Sequence, residues 1–257
     1  MPDASPPEIV HLAVDRAIAT ITLDSPTNRN ALSAQLVGEL GAHLATAGAD
    51  EAVRAIVLTH TSNTFCAGAD LAESAGEGGP AKGTSRLIAL LRQVLLVPKP
   101  VVVLVDGNVR AGGLGLLGAA DVVYVSSASS FAFTEVRLGL APAMISLTVL
   151  PRLSDRAAAH RFLTGSKFDA TEAARIGLVT AAADDPRAPL DELLDELRGC
   201  SPQGLAATKA LLNESMLDTF DHRAEVLAAR SAELFGSDEA AEGIASFLER
   251  RPPRWAV

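Results

Sequence analysis

Three features of this sequence have residue types and spacing that could do chemistry. Glu135 is an isolated carboxylate among apolar residues in Phe131-Ala132-Phe133-Thr134-Glu135-Val136-Arg137-Leu138-Gly139. An acid in such a setting can take a proton and return it. Two turns, Phe65-Cys66-Ala67-Gly68-Ala69-Asp70-Leu71 and Ala111-Gly112-Gly113, each follow an aliphatic run. Their tiny side chains let a ligand oxygen approach the backbone, and two N–H groups converging on one point form an oxyanion hole. The third feature, Gly113-x-Gly115-x-x-Gly118, matches the dinucleotide fingerprint. Against a nicotinamide cofactor, Asp106 to Ala111 separate the strand from the turn, and Ser126-Ser127 stand where a ribose-binding acid belongs. The alternative is that Gly115 and Gly118 let a helix pack closely.

These residues need strands and helices to hold them. Val101–Val105 and Val122–Val125 read as buried strands on either side of the glycine turn, and Ala55–Leu58 as a third. Ile9–Leu23 reads as two short strands around Asp15-Arg16. Ser25 to Asn30 is a loop of turn formers, and Ser33 can cap a helix carrying Leu36, Val37, Leu40 and Leu44. Residues 73–84, with four glycines and a proline, predict a mobile loop and candidate lid. Ser85–Leu96 is an amphipathic helix stopped by Pro98 and Pro100. Asp169 with Glu172 predicts a capped helix that Gly177 ends. After Ser201 come three helical stretches, Pro202–Leu217, Asp221–Phe235 and Asp238–Arg250, the last capped by Ser237. The expected division is a β/α core over residues 1–198 and an all-helical region over 199–257 that packs on a neighbouring subunit.

Composition narrows the function classes. The 257 residues are 48% hydrophobic but only 4% aromatic, so the core is built from Ala, Val and Leu. A net charge of −9 argues against nucleic acid or an anionic membrane as partner, while leaving room for phosphates held by local cations. Cys66 and Cys200 make no disulfide framework. The opening MPDASPPEIV lacks a basic stretch followed by an apolar one, and no aliphatic run approaches bilayer length, so the cytoplasm is the expected compartment.

Taken together, Asn30-Ala31-Leu32, the 65–71 turn, Asp106-Gly107 through Asp121, Phe131 through Pro142, and Phe247-Leu248-Glu249-Arg250-Arg251-Pro252 resemble the crotonase family, the enoyl-CoA hydratase/isomerase group. The resemblance covers nearly the whole chain. It implies a spiral of ββα repeats followed by helices that build a homotrimer, often paired into a hexamer. It also implies an acyl-CoA thioester substrate, with no metal and no cofactor beyond the coenzyme A that the substrate carries. By position, it assigns the oxyanion donors to the N–H groups of Ala69 and Gly112. Asn28, Arg29 and Ala31 fall where relatives contact coenzyme A, while Ala67, Gly68, Asp70 and Leu71 border the same passage. Phe247 and Arg250 match groups that reach an adjacent subunit's coenzyme A. Family hydratases use two glutamates; one corresponds to Glu135, but the other position is Gly115, which has no side chain. Asp70, Glu73 or Glu77 could substitute for the missing acid. Arg137 could pair with Glu135, bind a second substrate carboxylate, or form a salt bridge elsewhere. The segment Phe131–Leu150 resembles hydratases of the methylglutaconyl-CoA type. The reading that follows is hydration of a 2-enoyl-CoA by Glu135 alone. The alternatives are Δ3,Δ2-enoyl-CoA isomerisation by the same residue, or an acyl-CoA binder with weak catalysis.

Overall fold

The aliphatic runs become strands that divide between two sheets. In the computed structural model, which describes residues 7–74 and 79–257, the strands are β1 (Val10–Asp15), β2 (Ile18–Leu23), β3 (Ala55–His60), β4 (Thr64–Cys66), β5 (Val101–Val105), β6 (Asn108–Arg110), β7 (Val122–Ser126), β8 (Ser130–Ala132), β9 (Phe168–Asp169) and β10 (Ala181–Ala183). The helices are α1 (Ala34–Ala49), α2 (Leu71–Ser74), α3 (Gly79–Leu96), α4 (Gly112–Ala119), α5 (Ser146–Val149), α6 (Asp155–Thr164), α7 (Ala170–Arg175), α8 (Arg187–Arg198), α9 (Pro202–Phe235) and α10 (Asp238–Leu248).

The large sheet has the order β1-β2-β3-β5-β7-β10 and the small one β4-β6-β8-β9. Each pair β3–β4, β5–β6 and β7–β8 therefore sends its first strand to the large sheet and its second to the small one. Neighbours from successive pairs run parallel. Repeating that step with helices between the pairs winds the chain into the expected ββα spiral. The period-two alternation of strand side chains decides what each face covers. Val101, Val103 and Val105 enter the main core with α1, α3 and α4, while Val102 and Leu104 meet Leu190 and Leu194 of α8 on the opposite face.

Two expectations need correction. Residues 79–84, read as loop, are the first turns of α3. Pro80 is tolerated there because the opening N–H groups of a helix have no intrahelical acceptor, and Thr84 is buried. Residues 75–78 of the expected loop, Glu77 among them, lie outside the described residues. The predicted break between Leu217 and Asp221 is also absent, since α9 runs unbroken for 34 residues. No glycine or proline interrupts it at that point, and Phe220, only 2% exposed, packs the middle of the helix into the core. The caps fall as read: Ser33 Oγ accepts from the Leu36 N–H, Asp169 from Glu172 and Ser237 from Ala240.

The long helix α9 lies along α3 of its own chain and is fastened by a buried cation. Lys209, 4% exposed, pairs with Asp121 at 2.8 Å and donates to the carbonyls of Val94 and Lys99. Burial pushes the ammonium pKa down, and Asp121 opposes that shift. Asp121 in turn accepts from the Val101 N–H at 2.7 Å, so one ion pair joins α9 to the start of β5. Removing one partner leaves a buried charge uncompensated. Lys209→Met is expected to cost about 3–5 kcal/mol in urea unfolding. Adding Asp121→Asn should restore part of that loss.

Candidate active site

The site begins at the loop before α1. Asn30, 1% exposed, accepts from the Ser25 N–H through Oδ1 at 2.6 Å and donates from Nδ2 to the Thr64 carbonyl at 2.8 Å. Both Arg29 and Asn30 adopt left-handed backbone conformations, which closes the loop onto β4. The Ala67 N–H then donates to the Arg29 carbonyl, and the Leu32 N–H to the Gly68 carbonyl at 2.8 Å. Gly68 has φ +99, and a Cβ there would lie 2.9 Å from the Ala111 Cβ and 3.6 Å from the Gly112 nitrogen. The two small-residue turns are therefore in contact, and only glycine permits the approach. Ala111 itself holds φ 46 and ψ −119, a strained conformation for a residue with a side chain. Gly112 opens α4, so its N–H has no intrahelical acceptor. The Ala69 N–H donates to no backbone carbonyl among the described residues. Two such donors on touching turns can hold a developing negative oxygen.

Both donors border a cavity of about 790 Å³. Of the residues singled out from the sequence, Asn28, Arg29, Ala31, Ala67, Ala69, Asp70, Leu71, Gly112, Glu135 and Phe247 line it. Gly68, Gly115 and Arg250 do not. Gly68 lies behind the wall as the contact point of the turns. Gly115 faces protein: a Cβ on it would meet Ile145 Cγ2 at 2.7 Å and Leu91 Cδ1 at 3.3 Å. The place a second acid would need is filled by Ile145, which lines the cavity itself. Arg250 sits past the end of α10 with φ +55. Phe247, with Ser231, Phe235 and Leu248, lines this chain's own cavity. The fingerprint glycines serve close packing, for a Cβ on Gly113 would lie 2.7 Å from that of Cys66, and one on Gly118 2.7 Å from the Thr148 carbonyl oxygen.

Glu135 opens a short 3-10 segment, Glu135–Leu138, ended by Gly139 in the left-handed region. That segment is held by α10 through two bare backbones. A Cβ on Gly139 would lie 2.7 Å from the Glu239 carbonyl carbon, and one on Gly243 2.5 Å from that of Leu138. The Glu135 Oε2 is buried and has no hydrogen-bond partner among the described residues. Burial pushes its pKa up to about 7, only partly opposed by its own backbone N–H. Arg137 does not pair with it; its guanidinium is exposed and donates from Nε to the Thr164 carbonyl at 3.3 Å. Of the substitute acids, Asp70 accepts from the Ala72 and Glu73 N–H groups and from Asn28, while Glu73 accepts from the Ala34 N–H at the start of α1.

Around these groups the cavity wall carries Arg29, Arg86, Arg110, Arg137 and Lys167 against Asp70, Glu73 and Glu135. A locally cationic wall on a chain of net charge −9 suits an anionic ligand. The sequence reading missed Arg86, Leu87 and Ile145. Arg86 and Leu87 fell inside a helix noted only for its amphipathic pattern, and Ile145 is one aliphatic among many.

An enoyl-CoA hydratase/isomerase family model matches residues 13–257. The chain belongs to the enoyl-CoA hydratase/isomerase family. A crystal structure of an enoyl-CoA hydratase from Mycobacterium avium is 49% identical and superposes with a TM-score of 0.91, over 98% of this chain and all of the other. Pseudomonas aeruginosa AtuE is 36% identical with a TM-score of 0.75, covering 97% of this chain and 100% of its own. The 1,2-epoxyphenylacetyl-CoA isomerase of Escherichia coli K12 is 27% identical over 263 residues, 96% of this chain and 98% of the relative. Family membership makes this chain an enzyme acting on acyl-CoA thioesters. Among its described residues no helix is long and apolar enough to cross a membrane.

Gly115 is the position at which the geometry changes the sequence-based outlook. A glutamate there would restore the second carboxylate that two-glutamate relatives carry. With Ile145 2.7 Å from the new Cβ, Gly115→Glu overpacks the core instead. The expected result is a loss of about 1–3 kcal/mol in denaturant unfolding with no gain in hydration rate.

Proposed function

We propose that Glu135 alone carries the acid–base chemistry of this enoyl-CoA hydratase/isomerase, and that Δ3,Δ2-enoyl-CoA isomerisation is the reaction its site fits best. The supporting observation is one buried, unpartnered carboxylate oxygen with a pKa near neutrality, in a cavity where Ile145 packs on Gly115, the position of the second acid in two-glutamate relatives. The ionised carboxylate takes a proton from C2 of a 3-enoyl thioester. The electrons pass into a dienolate whose oxygen rests on the Ala69 and Gly112 N–H groups, and the same carboxyl returns the proton to C4. The double bond moves to C2–C3, nothing is gained or lost, and no cofactor is consumed. A pKa matched to the working pH lets one group serve as both base and acid.

Hydration of a 2-enoyl-CoA is the second reading, favoured by the Mycobacterium avium structure, which is described as an enoyl-CoA hydratase. Here Glu135 would take a proton from water as the hydroxyl adds to C3 and give it back at C2. Its water would lack the second carboxylate that two-glutamate relatives provide. In either reading Asn28, Arg29, Ala31, Ala67, Asp70 and Leu71 line the approach of coenzyme A, and the cytoplasm is the expected setting. The exposed Leu211, Leu212 and Val226 on α9 support assembly of the chain into a trimer or a pair of trimers. Sedimentation equilibrium is expected to give three or six copies, and a monomer at micromolar concentration would contradict the assembly.

Purified protein should be assayed with 3-enoyl-CoA and 2-enoyl-CoA side by side, with products identified. Double-bond migration outrunning hydration supports the first reading, and hydration alone supports the second. Glu135→Gln should lower turnover by roughly 10²–10⁴-fold while sparing thioester binding. Wild-type kcat should rise with pH through about 7 as the carboxyl ionises. The same variant has a stability signature. Because the folded pKa is raised, ionisation of the unfolded chain makes the wild type progressively less stable from about pH 4.5 to about pH 7, and the cost is constant above. Glu135→Gln should therefore be more stable than wild type at pH 8, by about 3 kcal/mol at most, and no more stable at pH 4. Equal stability at both values would remove the buried, raised-pKa carboxyl from the argument.

A further inference from the structure

Four buried side-chain polar atoms have no hydrogen-bond partner among the described residues: Asn28 Oδ1, Arg86 Nε, Glu135 Oε2 and Arg161 Nε. The first three belong to residues lining the cavity described above. A buried polar atom without a partner is costly, and more so on a charged group, so such atoms gathered on one cavity mark places a ligand satisfies. Glu135 and Asn28 already have places in the acyl-CoA reading. Arg86 does not.

Arg86 stands on α3 beside Leu87, whose Cδ2 would lie 3.6 Å from a Cβ on Gly112. It is therefore next to the wall of the oxyanion turn. Its Nη2 reaches Glu73 Oε2 at 3.4 Å, and Glu73 is itself fixed on the Ala34 N–H at the start of α1. The guanidinium charge thus has a carboxylate beside it, while the Nε–H remains unused. Leu32, Val37 and Leu87 are among the apolar residues of the same cavity. A buried donor without an acceptor, on a cation that already has a carboxylate beside it, calls for one uncharged acceptor. A second carboxylate would have to lie against Glu73, and like charges repel.

We propose that Arg86 is a specificity-determining residue whose Nε–H donates to an uncharged hydroxyl or ketone oxygen on the acyl chain, so that substrates bearing one are preferred to plain hydrocarbon chains. This rests on the acyl-CoA reading of the cavity. A site with a buried donor discriminates against the analogue that leaves it unpaired.

Calorimetry with non-reacting saturated acyl-CoA thioesters of one chain length tests it without requiring turnover. The panel holds the unsubstituted chain, chains with a hydroxyl or ketone at successive carbons from C4 outward, and a chain ending in a carboxylate. For the wild type, one oxygenated member is expected to bind roughly tenfold tighter than the unsubstituted chain. Arg86→Met should erase the ratio between the oxygenated and the unsubstituted chain, whatever change in affinity is common to both. Arg86→Lys keeps the charge beside Glu73 but lacks an Nε–H, so it should also lose the preference, and it carries the test if the methionine variant fails to fold. Equal binding across the panel by wild type, a preference that survives both substitutions, or tightest binding of the carboxylate would each overturn the assignment. Failure of every thioester to bind would instead bring down the acyl-CoA reading beneath it.

Discussion

The structure depends on the contact between the Gly68 turn and the Ala111-Gly112 turn. One follows β4 and the other follows β6, and these strands are parallel neighbours in the small sheet. The spiral brings the ends of successive repeats side by side, but side by side is not enough. The turns touch because Gly68 has no side chain and because Ala111 accepts a strained backbone. The strain is held by its surroundings: the Ala111 N–H donates to the Ala132 carbonyl, and α4 behind it is buried along its whole length. A buried helix, a parallel ladder and an anchored loop around Asn30 all hold the two turns against each other. Preorganised donors of this kind need no rearrangement as charge develops.

The same economy of side chains shapes the other half of the site. Glu135 is set among residues that offer its Oε2 no hydrogen bond, and its proton affinity follows from that. The missing acid is an extension of this apolar design. Gly115 lets Ile145 come close, and Ile145 continues the hydrocarbon wall where a carboxylate could have stood. In the reading proposed above, the family's chemistry is then asked of one group in an apolar setting.

How much of this was legible in the sequence follows from physical range. Buried strands such as Val101–Val105 and caps such as Ser33 are local signals, and they were readable. The two glycine turns and Glu135 could be picked out by residue type, and the family resemblance ordered them. Three things were not readable. The short strands β4, β6, β8 and β9 are too brief to show a period and exist only through their partners. Residues 79–84 look like loop in the sequence because their helical state depends on burial of Thr84 and packing of the later turns of α3. The side chains of Arg86 and Ile145 acquire meaning only from what lies across the cavity, which no spacing along the chain reveals.

The glycine contacts between α10 and the Glu135 segment bear on how the protein is made. Glu239 and Gly243 rest on Gly139 and Leu138, so the carboxyl group's surroundings are completed by residues near the far end of the chain. During synthesis the spiral can close and the oxyanion turns can meet well before α10 leaves the ribosome. Until then the Glu135 segment lacks the packing of α10 against Leu138 and Gly139. A partly made chain can thus hold Glu135 and both turns while the segment that carries the carboxylate still lacks one of its supports.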